Sequence, residues 1–116
     1  MGNPVVHFEI MAPNAEKARQ FYGELFGWQM QVLPPEMDYT HVKQEPGGIG
    51  GGIGEDAGRP GQRVIVYVQV DDPQAYLDRA VAMGGRVLQP VMEIPGVVTT
   101  AQFADPRGII VGLVKG

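Results

Sequence analysis

Two segments of this sequence repeat one another, and the repeat limits the possible folds more than any other feature. Residues 5–28 read VVHFEIMAPNAEKARQFYGELFGW, and residues 65–87 read IVYVQVDDPQAYLDRAVAMGGRV. Each segment opens with the alternating pattern of a strand, passes a proline and continues as an amphipathic helix that ends at glycine. The helix-ending glycines, Gly27 and Gly84, lie 57 residues apart, close to half of the 116-residue chain. We interpret the chain as an internal duplication.

Both predicted helices carry a capping residue and an apolar stripe. Asn14 is predicted to cap the first helix and Asp72 the second, where Pro73 takes the first helical position. The stripe predicted to be buried in the first helix comprises Ala15, Ala18, Phe21, Tyr22 and Leu25. The corresponding stripe in the second helix comprises Tyr76, Leu77, Ala80 and Val81.

Three shorter strand-like pieces follow each helix, so each half of the chain reads βαβββ. The predicted strands are residues 28–33, 39–44 and 48–54 in the first half and 86–89, 99–103 and 109–114 in the second. We expect the α+β class and one domain over residues 1–116, with module 1 at about residues 1–58 and module 2 at about 59–116. A four-stranded sheet with one helix buries only one face, so its other face needs a second sheet or a ligand.

Alternation along the first strand of each module predicts which residues line that other face. Val6, Phe8 and Ile10 are expected to pack under the first helix, which leaves Val5, His7 and Glu9 on the opposite side. In the second module the valines at 64, 66, 68 and 70 are expected in the core. Ile65, Tyr67 and Gln69 then face away, and such polar and aromatic side chains are typical of a ligand pocket.

Composition narrows the possible functions. The net charge of −4 gives no electrostatic reason to expect binding to nucleic acid or to an anionic membrane, and a neutral or cationic small ligand fits better. The chain has no cysteine, which excludes disulfides, zinc–thiolate sites and cysteine nucleophiles. No stretch is long and apolar enough for a membrane span, and the first residues do not resemble a signal peptide, so we expect a cytoplasmic protein.

Glycine is placed unusually at two points. In the terminal strand, after the turn Asp105-Pro106-Arg107-Gly108, Gly112 interrupts an aliphatic run, and a glycine inside a strand marks a bulge or a close approach. Residues 45–61, EPGGIGGGIGEDAGRPG, lack the lysine of a phosphate-binding loop, and no helical pattern follows them. We interpret this run as a flexible strand and connection.

The strand with His7 followed by FYGELFGW, the helix VDDPQAYLDRAVAMGG and the terminal FADPRGIIVGLV together resemble the vicinal oxygen chelate superfamily. This superfamily includes glyoxalase I, bleomycin-resistance proteins, methylmalonyl-CoA epimerase and extradiol dioxygenases. The resemblance covers essentially the whole chain. It implies two βαβββ modules in a cupped, barrel-like mixed sheet with the helices outside, a site inside the cup, and a homodimer.

Metal-dependent members of that superfamily hold one divalent ion with four side chains, usually His or Gln near the first strand of each module and Glu near the last. His7 falls on the first of these positions, whereas the others fall on Ile65 (or on Tyr67 after a two-residue shift), on the glycine run and on Gly112. One histidine is not a site for Zn, Ni, Mn or Fe. The resemblance therefore implies the fold with its metal site largely lost: we expect no cofactor and disfavour a divalent metal.

The candidate catalytic residues are His7 and its same-face neighbour Glu9, and a structural role for this pair stays open. Tyr39 and His41 share one strand face, which points either into the cup or to solvent. Further candidate ligand-binding residues are Tyr67, Gln69, Gln102 and Trp28; for Trp28 core or dimer packing is the alternative.

Three functions fit these residues, and the sequence leaves open whether the protein is an enzyme. The first is a glyoxalase- or bleomycin-resistance-like protein that binds a small, possibly aromatic, molecule without a metal. The second is a metal-free lyase or isomerase in which His7 is the acid or base. The third is a metal-dependent glyoxalase- or dioxygenase-like enzyme that uses His7, Glu9 and His41.

Overall fold

A computed structural model of the chain describes residues 2–56 and 63–116 and contains two βαβββ modules. A short 3₁₀ helix, Pro35–Met37, joins the second and third strands. The helices and strands are β1 (Val5–Ala12), α1 (Ala15–Phe26), β2 (Met30–Val32), β3 (Tyr39–Val42), β4 (Gly50–Glu55), β5 (Arg63–Val70), α2 (Pro73–Ala82), β6 (Arg86–Ile94), β7 (Val98–Ala104) and β8 (Ile110–Lys115). The predicted α+β class and the duplicated element order are confirmed.

Contacts between residues divide the chain into two compact units. The first module is His7–Ile65, and the second module is Val66–Gly116 together with residues 2–6. The boundary predicted near residues 58 and 59 lies outside the described residues, as does the end of the glycine-rich run at 57–61. Neither helix in the described part of the chain has the length and apolar character needed to cross a membrane.

The first module is a four-stranded mixed sheet with α1 on one face. Its strand order is β2-β3-β4-β1, with β1 parallel to β4 and the other neighbours antiparallel. Ala15 and Ala18 of α1 form the core with Val42 and Ile53 of the sheet, and alternate residues of β1 join them, beginning with Phe8. The prediction that Phe8 and Ile10 point toward the helix is confirmed, whereas Val6, predicted with them, belongs to the second module.

The second module repeats this arrangement. Its strand order is β5-β8-β7-β6, with β5 parallel to β8. Leu77 of α2 packs on Val70, Ala101 and Leu113. The predicted strand at residues 86–89 was too short, because β6 continues through Pro90 to Ile94. Proline is tolerated there because β6 lies at the end of this strand order, where one side of the strand has no partner within the module.

The prediction that every second valine of β5 enters the core was half wrong. Val70 is buried and Val68 packs against the core cluster, whereas Val64 is 67% exposed and Val66 is 40% exposed. The buried residues in that part of β5 are Ile65 and Tyr67. The ten-residue helix α2 packs against the later part of β5, where Val68 and Val70 lie. Val64 and Val66 come earlier in the strand and therefore lie outside that core.

The apolar stripe of each helix is narrower than predicted. Ala15 and Ala18 are buried and Tyr22 packs beside them, but Phe21 and Leu25 are both 59% exposed. In α2, Leu77 is buried and Val81 is 49% exposed. The face of α1 that contacts the sheet is only wide enough for Ala15, Ala18 and Tyr22. Phe21 and Leu25 lie to the side of that face and are exposed.

Both predicted caps are confirmed. Oδ1 of Asn14 accepts a hydrogen bond from the N–H of Lys17 at 3.0 Å, and Oδ1 of Asp72 accepts one from the N–H of Ala75 at 3.2 Å. Gly27 ends α1 with φ of 70°, a left-handed conformation that favours glycine. These caps fix where each helix begins relative to the strand before it.

Candidate functional site

Strand β4 presents almost no side chains on one face of the first module. It reads Gly50-Gly51-Gly52-Ile53-Gly54, and the buried Ile53 faces the helix. Strand alternation therefore places Gly50, Gly52 and Gly54 on the opposite face. We call these three residues the glycine floor. The floor has no side chains of its own and lies between two strands that carry them, with Met11 of β1 over Gly54.

The strands beside the glycine floor bring four predicted site residues to the same face. On β1, His7 pairs with Gly50 and Glu9 pairs with Gly52. On β3, His41 pairs with Gly52 and Tyr39 pairs with Gly54. Because directly paired residues of neighbouring strands point to the same side of a sheet, all four line the floor. His41 shares a face with His7 and is exposed.

Tyr39 lies across the floor and contacts His7. Its hydroxyl is 3.0 Å from Nε2 of His7. A Cβ atom at Gly52 would overlap the hydroxyl end of the Tyr39 ring, so the ring can lie there only because residue 52 is glycine. This contact was not predicted from the sequence. The sequence did contain a signal for it. Residues 50, 52 and 54 are all glycine, and the preceding strand carries one aromatic residue, Tyr39, that can lie over them.

The surroundings of His7 favour the uncharged imidazole. Partial burial lowers the pKa of His7 below its usual value of 6.5, and charge on His41 lowers it further. A neutral imidazole either accepts a hydrogen bond from the Tyr39 hydroxyl at Nε2 or donates one to it, depending on the tautomer. With Glu9 on the same face, this arrangement has the groups needed to bind a polar aromatic molecule or to move a proton.

The second module places Tyr67 and Gln102 on the corresponding face, around Gly112. Gly112 pairs with Tyr67 on one side and with Gln102 on the other. The Tyr67 ring covers Gly112, and Nε2 of Gln102 donates a hydrogen bond to the Tyr67 hydroxyl at 2.8 Å. Tyr67 is 5% exposed and Gln102 is 8% exposed. The close approach predicted at Gly112 is therefore the ring of Tyr67.

The two remaining predicted ligand-binding residues lie elsewhere. Gln69, also on the Tyr67 face of β5, lies over the backbone of Gly116. Trp28 packs against the core of the first module, with its ring centre 5.4 Å from that of Phe8 and 5.1 Å from that of Phe26. Phe8 faces the helix, so Trp28 lies across the sheet from the glycine floor. Core packing is the role that the structure gives Trp28.

Of the four metal-ligand positions that the resemblance implies, one carries a ligand side chain in this chain, His7. Within residues 2–56 and 63–116, no three His, Cys, Asp or Glu side chains come together in a way that could hold a metal ion. Tyrosine rings lie over Gly52 and Gly112, the glycines in register with the site residues of each module. Carboxylates introduced at these glycines would collide with those rings.

Comparison with known proteins identifies sequence relatives. The family model of the Glyoxalase/Bleomycin resistance protein/Dioxygenase superfamily matches residues 5–113. The putative glyoxylase CFP32 of Mycobacterium tuberculosis is 28% identical over 90% of this chain, and the chain spans 42% of that protein's length. A glyoxylase-like domain-containing protein of Didymella fabae is 30% identical, over 86% of this chain and 84% of that protein.

Solved structures share the fold. The crystal structure of the hypothetical protein BH1468 from Bacillus halodurans C-125 superposes with a TM-score of 0.70. The match covers 100% of this chain and 96% of the other, at 14% sequence identity. An identity this low supports the shared fold alone.

We expect His7 to titrate below pH 6.5 in the folded protein. Replacing His41 by glutamine should raise the His7 midpoint without restoring it to 6.5, because burial is the larger cause of the lowered pKa. Since the unfolded chain binds this proton at higher pH than the folded chain, the free energy of unfolding should fall as the pH drops through 6.5 towards the lowered pKa. NMR titration of the His7 ring proton gives both midpoints. A midpoint at or above 6.5 contradicts the prediction.

We expect Gly112→Ala to destabilise the protein by about 1–3 kcal/mol, because the added methyl group must displace the buried Tyr67 ring. In a Tyr67→Ala background the same change should be neutral or slightly stabilising, since alanine suits a strand interior better than glycine. Urea denaturation of the four proteins of this cycle measures the coupling. Gly50→Ala is the control, because its Cβ would meet no atom closer than 3.6 Å. Equal effects in both backgrounds would show that the ring does not restrict residue 112.

Proposed function

The chain belongs to the Glyoxalase/Bleomycin resistance protein/Dioxygenase superfamily, and from that premise we propose that it binds a small planar aromatic molecule on the glycine floor without a metal ion. The observation that carries the proposal is the position of Tyr39. Its phenol ring lies on bare backbone, and its hydroxyl meets His7. The ligand ring would lie beside Tyr39 over Gly50, where a Cβ atom would meet no atom closer than 3.6 Å.

Charge and polarity at the floor narrow the ligand class. The lowered pKa of His7 favours its neutral form, and Glu9 is an acidic residue on the same face. The chain also carries a net charge of −4. A neutral or cationic ligand with one hydrogen-bonding group fits this environment better than an anion does.

Three further parts of this proposal come from the sequence and the resemblance. They are a cytoplasmic location, a homodimer, and the loss of the family's metal site so that no cofactor is needed. The chemistry of the residues at Gly52 and Gly112 supports the last of these, because glycine supplies no ligand atom from a side chain. Because these ligand atoms are missing, we rank a metal-dependent glyoxalase- or dioxygenase-like enzyme third among the three candidate functions.

A metal-free lyase or isomerase is the second candidate function, and the contact between His7 and Tyr39 favours it. The neutral imidazole of His7 would accept a proton from a carbon next to a carbonyl group of the substrate, and Tyr39 would hold the ring in place through its hydroxyl. The name glyoxylase given to two relatives supports lyase chemistry only at the level of the family.

We expect neutral or cationic phenols and fused aromatic amines to bind in the presence of EDTA. Thermal shift followed by calorimetry measures the binding. Gly50→Val should abolish it by adding a side chain to the floor, whereas Gly2→Val, whose Cβ would meet nothing within 4 Å, should not. Binding that persists in Gly50→Val would contradict the floor as the site. One tight equivalent of Ni, Zn, Mn or Fe(II) per chain, measured on the metal-stripped protein, would contradict the metal-free proposal.

If the second candidate is correct, the protein should catalyse exchange of hydrogen next to the carbonyl group of an aromatic ketone in deuterated water. His7→Gln should abolish the exchange while leaving the melting temperature close to that of the native protein, because glutamine retains a hydrogen-bonding group for Tyr39. Mass spectrometry of the ketone measures the deuterium gained. An unchanged exchange rate in His7→Gln would remove His7 from the role of base.

A further inference from the structure

The second module contains a cavity of about 410 Å³ beneath α2. Its walls include Val68 of β5, Phe103 of β7, Leu113 of β8 and Ala80 of α2. Val68, Phe103 and Leu113 belong to the core cluster under the helix, on the opposite side of the sheet from Tyr67 and Gln102. The volume is within the range of small-molecule pockets, roughly 300–1,000 Å³. This cavity is separate from the glycine floor.

The cavity stays open because α2 places a small residue over this part of the sheet. Leu77 is buried one turn earlier, but the next residue toward the sheet is Ala80. The N–H of Gly85 donates a hydrogen bond to the carbonyl oxygen of Ala80 at 2.8 Å, which turns the chain away directly after the helix. Met83, at the edge of the cavity, is 74% exposed and does not fill it.

The guanidinium group of Arg79 lies at this apolar cavity. Arg79 lines it, with the guanidinium carbon 5.4 Å from the ring centre of Tyr76. The Tyr76 hydroxyl donates a hydrogen bond to Oδ1 of Asn3 at 3.4 Å, which holds the ring beneath the cation. Among the described residues, Arg79 forms no ion pair.

The acidic residue at the cavity is engaged elsewhere. Oδ1 of Asp105 accepts hydrogen bonds from the N–H groups of Arg107 at 2.8 Å and Ile109 at 2.9 Å. These bonds commit that carboxylate oxygen to the turn before β8. The Asp105 carboxylate keeps its negative charge, and the guanidinium of Arg79 is the lining group that can pair with an anion.

We propose that this cavity binds a small amphipathic carboxylate, a medium-chain fatty acid, with its alkyl chain against Val68, Phe103 and Leu113 and its carboxylate on Arg79. A guanidinium is the side chain best suited to hold a carboxylate through two parallel hydrogen bonds. The alkyl chain covers apolar surface that α2 leaves open. This site lies in the other module and takes an anion, so it is independent of the aromatic ligand proposed for the glycine floor.

The test is an NMR titration of the full chain, labelled at methyl groups and amides, with decanoate below its micellar concentration and with decanol as the uncharged analogue. Decanoate should shift the methyl signals of Val68, Ala80, Met83 and Leu113, and leave the ring signals of His7 and Tyr39 in place. Arg79→Gln should weaken decanoate at least about tenfold and leave decanol unchanged. Arg86→Gln is the matched control, because Arg86 is exposed and does not line the cavity. It should change neither ligand.

Three outcomes overturn the proposal. The first is that decanoate leaves the cavity methyl groups unmoved, and the second is that Arg79→Gln and Arg86→Gln weaken decanoate equally. The third is a dimer in sedimentation experiments whose formation shifts the same methyl groups without ligand, since a second copy would then cover the cavity. A further variant, Ala80→Leu, should fill the space and abolish binding of both decanoate and decanol. The surface change Arg79→Gln decides the question even if Ala80→Leu does not fold.

Discussion

In each module a tyrosine ring lies on a glycine of the final strand, and this contact determines what each sheet face can present. In the first module Tyr39 lies on Gly52, and in the second Tyr67 lies on Gly112. A β-strand normally fills such positions with side chains that pack against their cross-strand neighbours. Here one aromatic ring takes the place of that side chain. The tyrosine hydroxyl is thereby carried across the strand to a polar residue on its far side.

The two modules use this contact in opposite directions, and so their faces differ in chemistry. In the first module the ring comes from β3 and reaches His7 on β1, a titratable group. In the second, the ring comes from β5 and reaches Gln102 on β7, an uncharged amide that is buried with it. The duplicated sequence thus gives one face that can change its protonation and one whose polar groups satisfy each other. The candidate site follows from this difference.

Local sequence signals were enough for much of the fold. The caps at Asn14 and Asp72, the glycine at the end of α1 and the alternation in β1 each depend on neighbouring residues, and the structure agrees with them. The errors concern how far a helix reaches over its sheet. Val64 and Val66 continue the same alternating pattern as Val68 and Val70, although they are exposed. The pattern alone does not show where along β5 the contact with α2 ends. For Trp28 the sequence left a ligand contact and core or dimer packing open, because chemical type does not reveal which sheet face a residue after a helix will occupy, and the structure shows core packing.

The composition of β4 also affects how firmly the first module is ordered. Four of its six residues are glycine, and each glycine loses more backbone freedom on folding than alanine would, by roughly 0.5–1 kcal/mol. The strand has little side-chain packing of its own to offset that entropy. It depends instead on rings from its neighbours, with Phe8 over Gly51 on one face and Tyr39 over Gly52 on the other. The order of β4 therefore depends on the rings of Phe8 and Tyr39 as much as on the residues of the strand itself.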